Sequence, residues 1–130
     1  MNDCGQSRGG VEHFGDSLTI VGSILAGNTA AAGAADFDNS YDLPLAANFC
    51  LIGDGTGSSL SNGVNNNRVG TTGAPLNSLL APLANYGAGT QTMALRPGSP
   101  AIDAGGAATF AADQRGFPCG TTDGSAIFHR

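Results

Sequence analysis

Apolar residues along this chain gather in short clusters separated by polar, turn-rich stretches: Leu18 to Leu25, Phe49 to Ile52, Leu76 to Leu83, Met93 to Leu95 with Ala101 to Ile102, and Ile127 to Phe128. Within Leu18-Thr19-Ile20-Val21-Gly22-Ser23-Ile24-Leu25, the β-branched residues, the shortness of the run and the flanking Gly and Asn favour strand over helix. With Ile24, Ile52, Leu80, Ile102 and Ile127 as markers, the clusters recur every 20 to 30 residues or about that, the interval of solenoid coils. One coil alone would leave its apolar face wet, so the pattern predicts coils stacked on one another. The expected fold is all-β, one domain over 1–130.

The corners are written in Gly, Pro and Asn. Asn28 follows Ile24-Leu25-Ala26-Gly27 where the chain must leave a strand, and Asn tolerates the left-handed backbone of a tight corner. Pro97-Gly98 suits the two central positions of a type II turn, since Pro presets φ and Gly accepts the positive φ that follows. Arg96 and Ser99 each precede a proline and are pushed towards extended conformations, so Met93 to Ile102 is expected to run strand, corner, strand. The Gly/Asn/Ser/Thr tract 54–72 reads as a loop excursion from the coil. Short helices are conceivable only at Ala30 to Ala35 and Leu79 to Asn85, limited by Gly33 and Pro82.

Composition narrows the classes. Hydrophobic residues make up 41%, charged residues 12%, and glycines number 21, a balance that fits turn-dense β structure and not an acidic disordered tail. The only basic residues are Arg8, Arg68, Arg96, Arg115 and Arg130, with a net charge of −5. Phosphate neutralisation needs clustered cations, so nucleic acid is not an expected partner. The same lack argues against docking to anionic lipid, and no apolar run is long enough to span a membrane. The amino terminus lacks the basic and apolar regions of a signal peptide. Met1 is expected to be an internal start, with an export signal upstream.

Candidate chemistry is sparse. Asp36-Phe37-Asp38-Asn39-Ser40-Tyr41-Asp42 is the densest acidic patch, and Asp36, Asp38 and Asp42 could offer oxygen ligands to Ca²⁺. Ser40 and Tyr41 stand where a calcium loop wants an acidic or amide ligand and a Gly, so local Asx-turn hydrogen bonding is the preferred reading. Gly53-Asp54-Gly55-Thr56-Gly57 lacks the Lys-Ser/Thr pair of a phosphate cradle and reads as an exposed turn. Cys50 is expected to be a small buried thiol. Cys4 and Cys119 could pair only in an exported chain. With His13 and His129 the only histidines, no zinc site or catalytic triad is expected.

Asp103, Asp113 and Arg115 admit two readings. The carboxylates could form a glycosidase acid/base pair, or Arg115 could serve as the base of a polysaccharide lyase. Alternatively Asp103 caps backbone N–H groups at the turn after Ile102 and Arg115 bridges carbonyls or a carboxylate between rungs, fixing the last corner, which is the preferred reading.

The ordered phrases Ser23-Ile24-Leu25-Ala26-Gly27-Asn28-Thr29, Asn48-Phe49-Cys50-Leu51-Ile52-Gly53 and Leu79-Leu80-Ala81-Pro82-Leu83-Ala84-Asn85-Tyr86-Gly87 lead into Arg96-Pro97-Gly98-Ser99-Pro100-Ala101-Ile102-Asp103 and Asp113-Gln114-Arg115-Gly116-Phe117-Pro118. Together they resemble the C-terminal portion of bacterial right-handed parallel β-helix surface proteins, the group labelled choice-of-anchor Q or polymorphic outer-membrane-protein-like. The resemblance implies a right-handed parallel β-helix of a few rungs on an exported cell-surface protein, a structural or adhesive role with no catalytic residues and no cofactor, and further rungs of the same parent as neighbours. A carbohydrate or host-surface ligand would be its partner. The alternative is a polysaccharide-binding or polysaccharide-degrading β-helix. The chain departs from the family's closing phrase at Asp123-Gly124-Ser125-Ala126-Ile127-Phe128-His129.

Overall fold

The computed structural model of the chain describes residues 10–31, 35–87, 89–107 and 111–118. Cys4, Cys119, His129, the run Ile127 to Phe128, the middle of the Ala30 to Ala35 segment and the closing phrase from Asp123 lie outside them. The chain gathers into two compact units, Met1–Asn77 and Ser78–Arg130.

In the first unit three short strands, β1 (Val11–Glu12), β2 (Leu18–Val21) and β3 (Ile24–Leu25), are followed in the same order by β4 (Phe37–Asp38), β5 (Leu45–Asn48) and β6 (Leu51–Ile52). Each strand lies parallel to its counterpart: β1 on β4, β2 on β5, β3 on β6. A last strand, β7 (Arg68–Val69), extends the third ladder beyond β6, again parallel. The register steps are Val11 to Phe37, Leu18 to Leu45 and Ile24 to Leu51, so each ladder advances by nearly the same length of chain. From Leu51 to Arg68 the step is much shorter.

Parallel pairing in this register lays apolar side chains over apolar side chains. Leu18 and Ile20 meet Leu45 and Ala47, and Leu25 meets Ile52 and then Val69. Along β2 the alternation is complete, with Leu18 and Ile20 half-buried and Thr19 and Val21 exposed, as period-2 side-chain direction requires. Phe37, Ala47, Cys50 and Ile52 form the buried centre, and Val11, Leu18, Ile20, Leu25, Leu45, Leu60 and Val69 pack around it. Full burial of Phe37 or Ile52 contributes about 1.5–3 kcal/mol each. That packing is what makes two-residue strands stable, since so few backbone bonds would not hold alone.

Two expectations shift here. Ile24 and Ile52, the markers taken from the sequence, are not partners, because Ile52 stands opposite Leu25. The tract 54–72 holds a 3-10 turn, Val64–Asn66, and the strand β7, so the excursion returns to the stack at Arg68.

The second unit is built differently. Leu80 pairs antiparallel with Leu95, and Ala84 with Thr92. Ala81 and Ala84 donate their N–H groups to Ala94 and Thr92, and Arg96 donates to Leu79. Leu79 to Asn85, a conceivable helix from its sequence, is therefore one arm of an extended ribbon. Pro82 explains the difference, since it can neither donate an i to i−4 bond nor share its turn with a helix. At the end of the ribbon the Ser99 N–H donates to the Arg96 carbonyl at 3.0 Å across Pro97-Gly98, and Gly98 has φ 85°, the backbone of a type II turn. The strand expected at Ala101-Ile102 is instead a succession of turns, with Ile102 N–H bonded to Ser99 and Ala104 N–H to Ala101. The Ser99 hydroxyl causes this: it donates to the Ser78 carbonyl at 2.6 Å and accepts the Ala101 N–H, which folds the chain back upon the corner.

Candidate functional site

The polar groups of the first unit concentrate where strands turn into corners. Asn28, expected at a corner, lies beside Asp36. One carboxylate oxygen, Oδ1, accepts both the Asn28 backbone N–H and its Nδ2, each at 2.9 Å. The other, Oδ2, accepts the Asp54 N–H at 2.7 Å. Asp36 is buried, and its two oxygens join the corner that follows β3 to the one that follows β6. The space around it is closed: a Cβ on Gly53 would lie 2.4 Å from Asp36 Oδ2, and one on Gly10 would lie 2.5 Å from Asn28 Nδ2. These two glycines are required by close approach and not by their turn geometry.

Asp38 and Asp42, the other candidate metal ligands, accept hydrogen bonds from separate partners. Asp38 Oδ1 accepts the Ser40 N–H at 2.7 Å, an Asx turn. Asp42 Oδ1 accepts the Ser59 hydroxyl at 3.1 Å. Among the described residues no three His, Cys, Asp or Glu side chains come together as a metal cluster. Asn39, buried between them, donates Nδ2 to the Leu43 carbonyl and accepts the Leu43 N–H on Oδ1. The same Oδ1 lies 3.1 Å from His13 Nδ1. Since that oxygen can only accept, Nδ1 carries the imidazole proton. His13 is buried, and its Nε2 meets no partner among the described residues.

Asp54, read from sequence as part of an exposed turn, is buried. Burial works against its ionisation. Bonds from the Thr56 backbone and side chain and from the Thr72 hydroxyl outweigh burial and hold the carboxyl below its ordinary value. Thr56 N–H reaches Oδ1 at 3.0 Å and Thr72 Oγ1 reaches Oδ2 at 2.9 Å. The Gly-rich stretch is thus a braced corner with its carboxylate already satisfied.

Cys50 is buried and its thiol is free; Sγ lies 3.3 Å from the Asn48 carbonyl.

In the second unit, Asp113 and Arg115 form one compact turn. Arg115 Nε and one terminal nitrogen both donate to Asp113 Oδ2, at 2.8 and 2.6 Å. Oδ1 accepts the backbone N–H groups of Arg115 and Phe117. Partial burial opposes the charge on Asp113, but the Arg115 side chain, those two N–H groups and the guanidinium charge prevail, and its carboxyl titrates below the ordinary range. The guanidinium sits 5.1 Å from the centre of the Phe117 ring, a cation–π distance. Asp103 is exposed, with φ 56° in the left-handed region. Pro97, Gly98, Ser99 and Pro100 make the corner already described.

Three features were not read from the sequence. Buried Asn67 donates Nδ2 to the Ala47 carbonyl at 2.8 Å and accepts the Cys50 N–H at 3.0 Å, standing in for a strand beside β5. The only trace of this in the sequence is the Asn-rich run Asn65-Asn66-Asn67. His13 with Asn39 is the second. The third is an exposed aromatic pair, Phe14 and Tyr41, whose ring centres are 5.2 Å apart and tilted by 41°. They stand on equivalent corners, after β1 and after β4.

Comparisons with known proteins return no matching family model, no matching curated protein and no matching solved structure.

Proposed function

We propose that the chain is a non-catalytic structural and adhesive module, in which the parallel ladders of the first unit are turns of a right-handed parallel β-helix belonging to an exported bacterial surface protein. The observation that carries the proposal is the repeated strand order with nearly constant parallel register, Val11 on Phe37, Leu18 on Leu45 and Ile24 on Leu51. Parallel strands joined by crossovers in one sheet are almost always right-handed. The non-catalytic reading is supported by how the candidate groups are spent. Asp54 and Asp113 each hold backbone N–H groups of their own corners, and Asp36 holds those of Asn28 and Asp54. A general acid or base needs a carboxyl that can exchange protons with substrate near the working pH, and the downward shifts of Asp54 and Asp113 run the other way for an acid.

A second reading, contact with polysaccharide, draws on the Phe14–Tyr41 pair. Aromatic faces supply broad apolar contact with little entropy to lose, and here two rings are held side by side on stacked corners. Under both readings the mechanism is display and contact, with a saccharide or a host-surface group as partner and further coils of the parent protein as neighbours.

The test is to incubate the purified chain with pectin, alginate and glycosaminoglycans, following new double bonds by ultraviolet absorbance and new reducing ends, beside retention of the same glycans on the immobilised chain. The proposal expects no cleavage of any of them. Cleavage abolished by Asp103→Ala or Arg115→Ala, with folding unchanged, would overturn it.

A further inference from the structure

Asn62 is the only asparagine in the chain that is followed by glycine, and this dipeptide lies on the arm that brings the chain back to β7. The absence of a side chain on Gly63 leaves its backbone nitrogen open to attack on the neighbouring amide. Asn62 is exposed, and a Cβ on Gly63 would meet nothing within 4 Å, so no packing shields the dipeptide. We propose that Asn62-Gly63 is a self-modification site, at which the backbone nitrogen of Gly63 attacks Cγ of Asn62.

In that step the new N–Cγ bond closes a five-membered succinimide, the Cγ–Nδ2 bond breaks, and ammonia leaves with the proton given up by the Gly63 nitrogen. Water then opens either carbonyl of the ring, giving an aspartyl or an isoaspartyl link at position 62. No oxidant, reductant or enzyme is required.

The structure sets when the reaction runs. Both reacting groups are engaged in the folded chain: Gly63 N–H donates to the Asn67 carbonyl at 2.8 Å, and Asn62 Oδ1 accepts the Val69 N–H at 3.0 Å. These two bonds fasten the start and end of the arm that presents Asn67 to β5 and seats β7 on β6. Attack requires the arm to open, and opening two hydrogen bonds of ordinary net strength slows the reaction roughly 5- to 150-fold relative to the unfolded chain. The reaction is therefore a slow timer coupled to local opening. An aspartyl product retains the acceptor for Val69 and keeps the arm. An isoaspartyl product adds a methylene to the main chain and leaves its free carboxylate on the α-carbon, which displaces the acceptor of the Val69 N–H and shifts the register of the arm.

The experiment is peptide mapping of the folded chain during incubation at mildly alkaline pH, in parallel with the chain in urea, scoring each asparagine for the mass change of NH₂ to OH and for isoaspartyl groups by enzymatic methylation. Asn62 should convert ahead of every other asparagine in both samples, and faster in urea by the factor given. In Asn62→Gln the product at position 62 should vanish, because the ring would be six-membered. Another asparagine converting first in the folded chain, or an equal rate at Asn62 with and without urea, would overturn the proposal.

Discussion

Removing the amide of Asn67 tests whether one side chain stands in for a strand. Asn67→Ala deletes the donor to the Ala47 carbonyl and the acceptor of the Cys50 N–H, both in buried surroundings. Ala47 and Cys50 are 2% exposed, which leaves their backbone groups little access to replacement water. Each orphaned group costs about 1–3 kcal/mol, so the expected loss is roughly 2–6 kcal/mol. A domain's whole stability is only about 5–15 kcal/mol, and a loss of this size moves the urea midpoint far or unfolds the first unit. The assay is urea denaturation followed by circular dichroism, comparing midpoints at a common slope. Asn67→Asp adds a sign. It keeps an acceptor for Cys50 but turns a second oxygen, and a charge, towards the Ala47 carbonyl. That environment raises the folded carboxyl above its unfolded value, so the penalty is full at neutral pH and shrinks as the pH falls through the folded pKa. An Asn67→Ala loss below about 1 kcal/mol with the slope unchanged would refute the reasoning, since two buried backbone groups cannot be abandoned so cheaply.

Gly70→Ala should be among the most damaging glycine changes, because a Cβ there would lie 2.1 Å from the Gly53 carbonyl oxygen and 2.5 Å from the Leu76 nitrogen; thermal denaturation should show a loss above about 2 kcal/mol. Gly73→Ala, where a Cβ meets nothing within 4 Å, should be neutral or stabilising by up to about 1 kcal/mol, and serves as the control. Asp113, its carboxyl lowered in the fold, supplies stability that is present above its unfolded pKa and is lost as pH falls through the folded one. Carboxyl titration by nuclear magnetic resonance should find that Arg115→Ala moves the Asp113 midpoint upward, towards the ordinary range. Ser99→Ala removes both the donor to the Ser78 carbonyl and the acceptor of the Ala101 N–H, and denaturation should show a loss of about 1–3 kcal/mol.

The sequence made the long-range arrangement partly legible and the short elements hardly at all. Leu18 to Leu25 carries enough β-branched and apolar character to declare a strand, and it holds β2 and β3; β6 lies within the apolar run Phe49 to Ile52. Strands of two residues such as β1, β4 and β7 are too short for any periodicity to register. β7 is hidden further, because Arg68-Val69 lies in a polar tract and is seated by the side chains of Asn62 and Asn67, which hydropathy does not weigh. Leu80 looks like a coil marker and Leu95 falls in the next apolar cluster, but apolar spacing does not distinguish parallel stacking from the antiparallel ribbon in which they meet. At the candidate site, Asn28 and the Pro97-Gly98 turn were legible because Asn, Pro and Gly have distinct backbone chemistry. That the Asn28 corner is closed by a buried Asp36 was not, since a carboxylate within an acidic patch reads as a partner of its own turn until its partners 8 and 18 residues away are known.

The most direct test of the stacked-coil account is detection of through-hydrogen-bond couplings by nuclear magnetic resonance across the third ladder. The account predicts that the Leu51 N–H couples to the Ser23 carbonyl and the Arg68 N–H to the Cys50 carbonyl, the bonds found here at 2.9 and 2.8 Å. Couplings from Leu51 or Arg68 to antiparallel partners, or to none of these carbonyls in a folded chain, would contradict it.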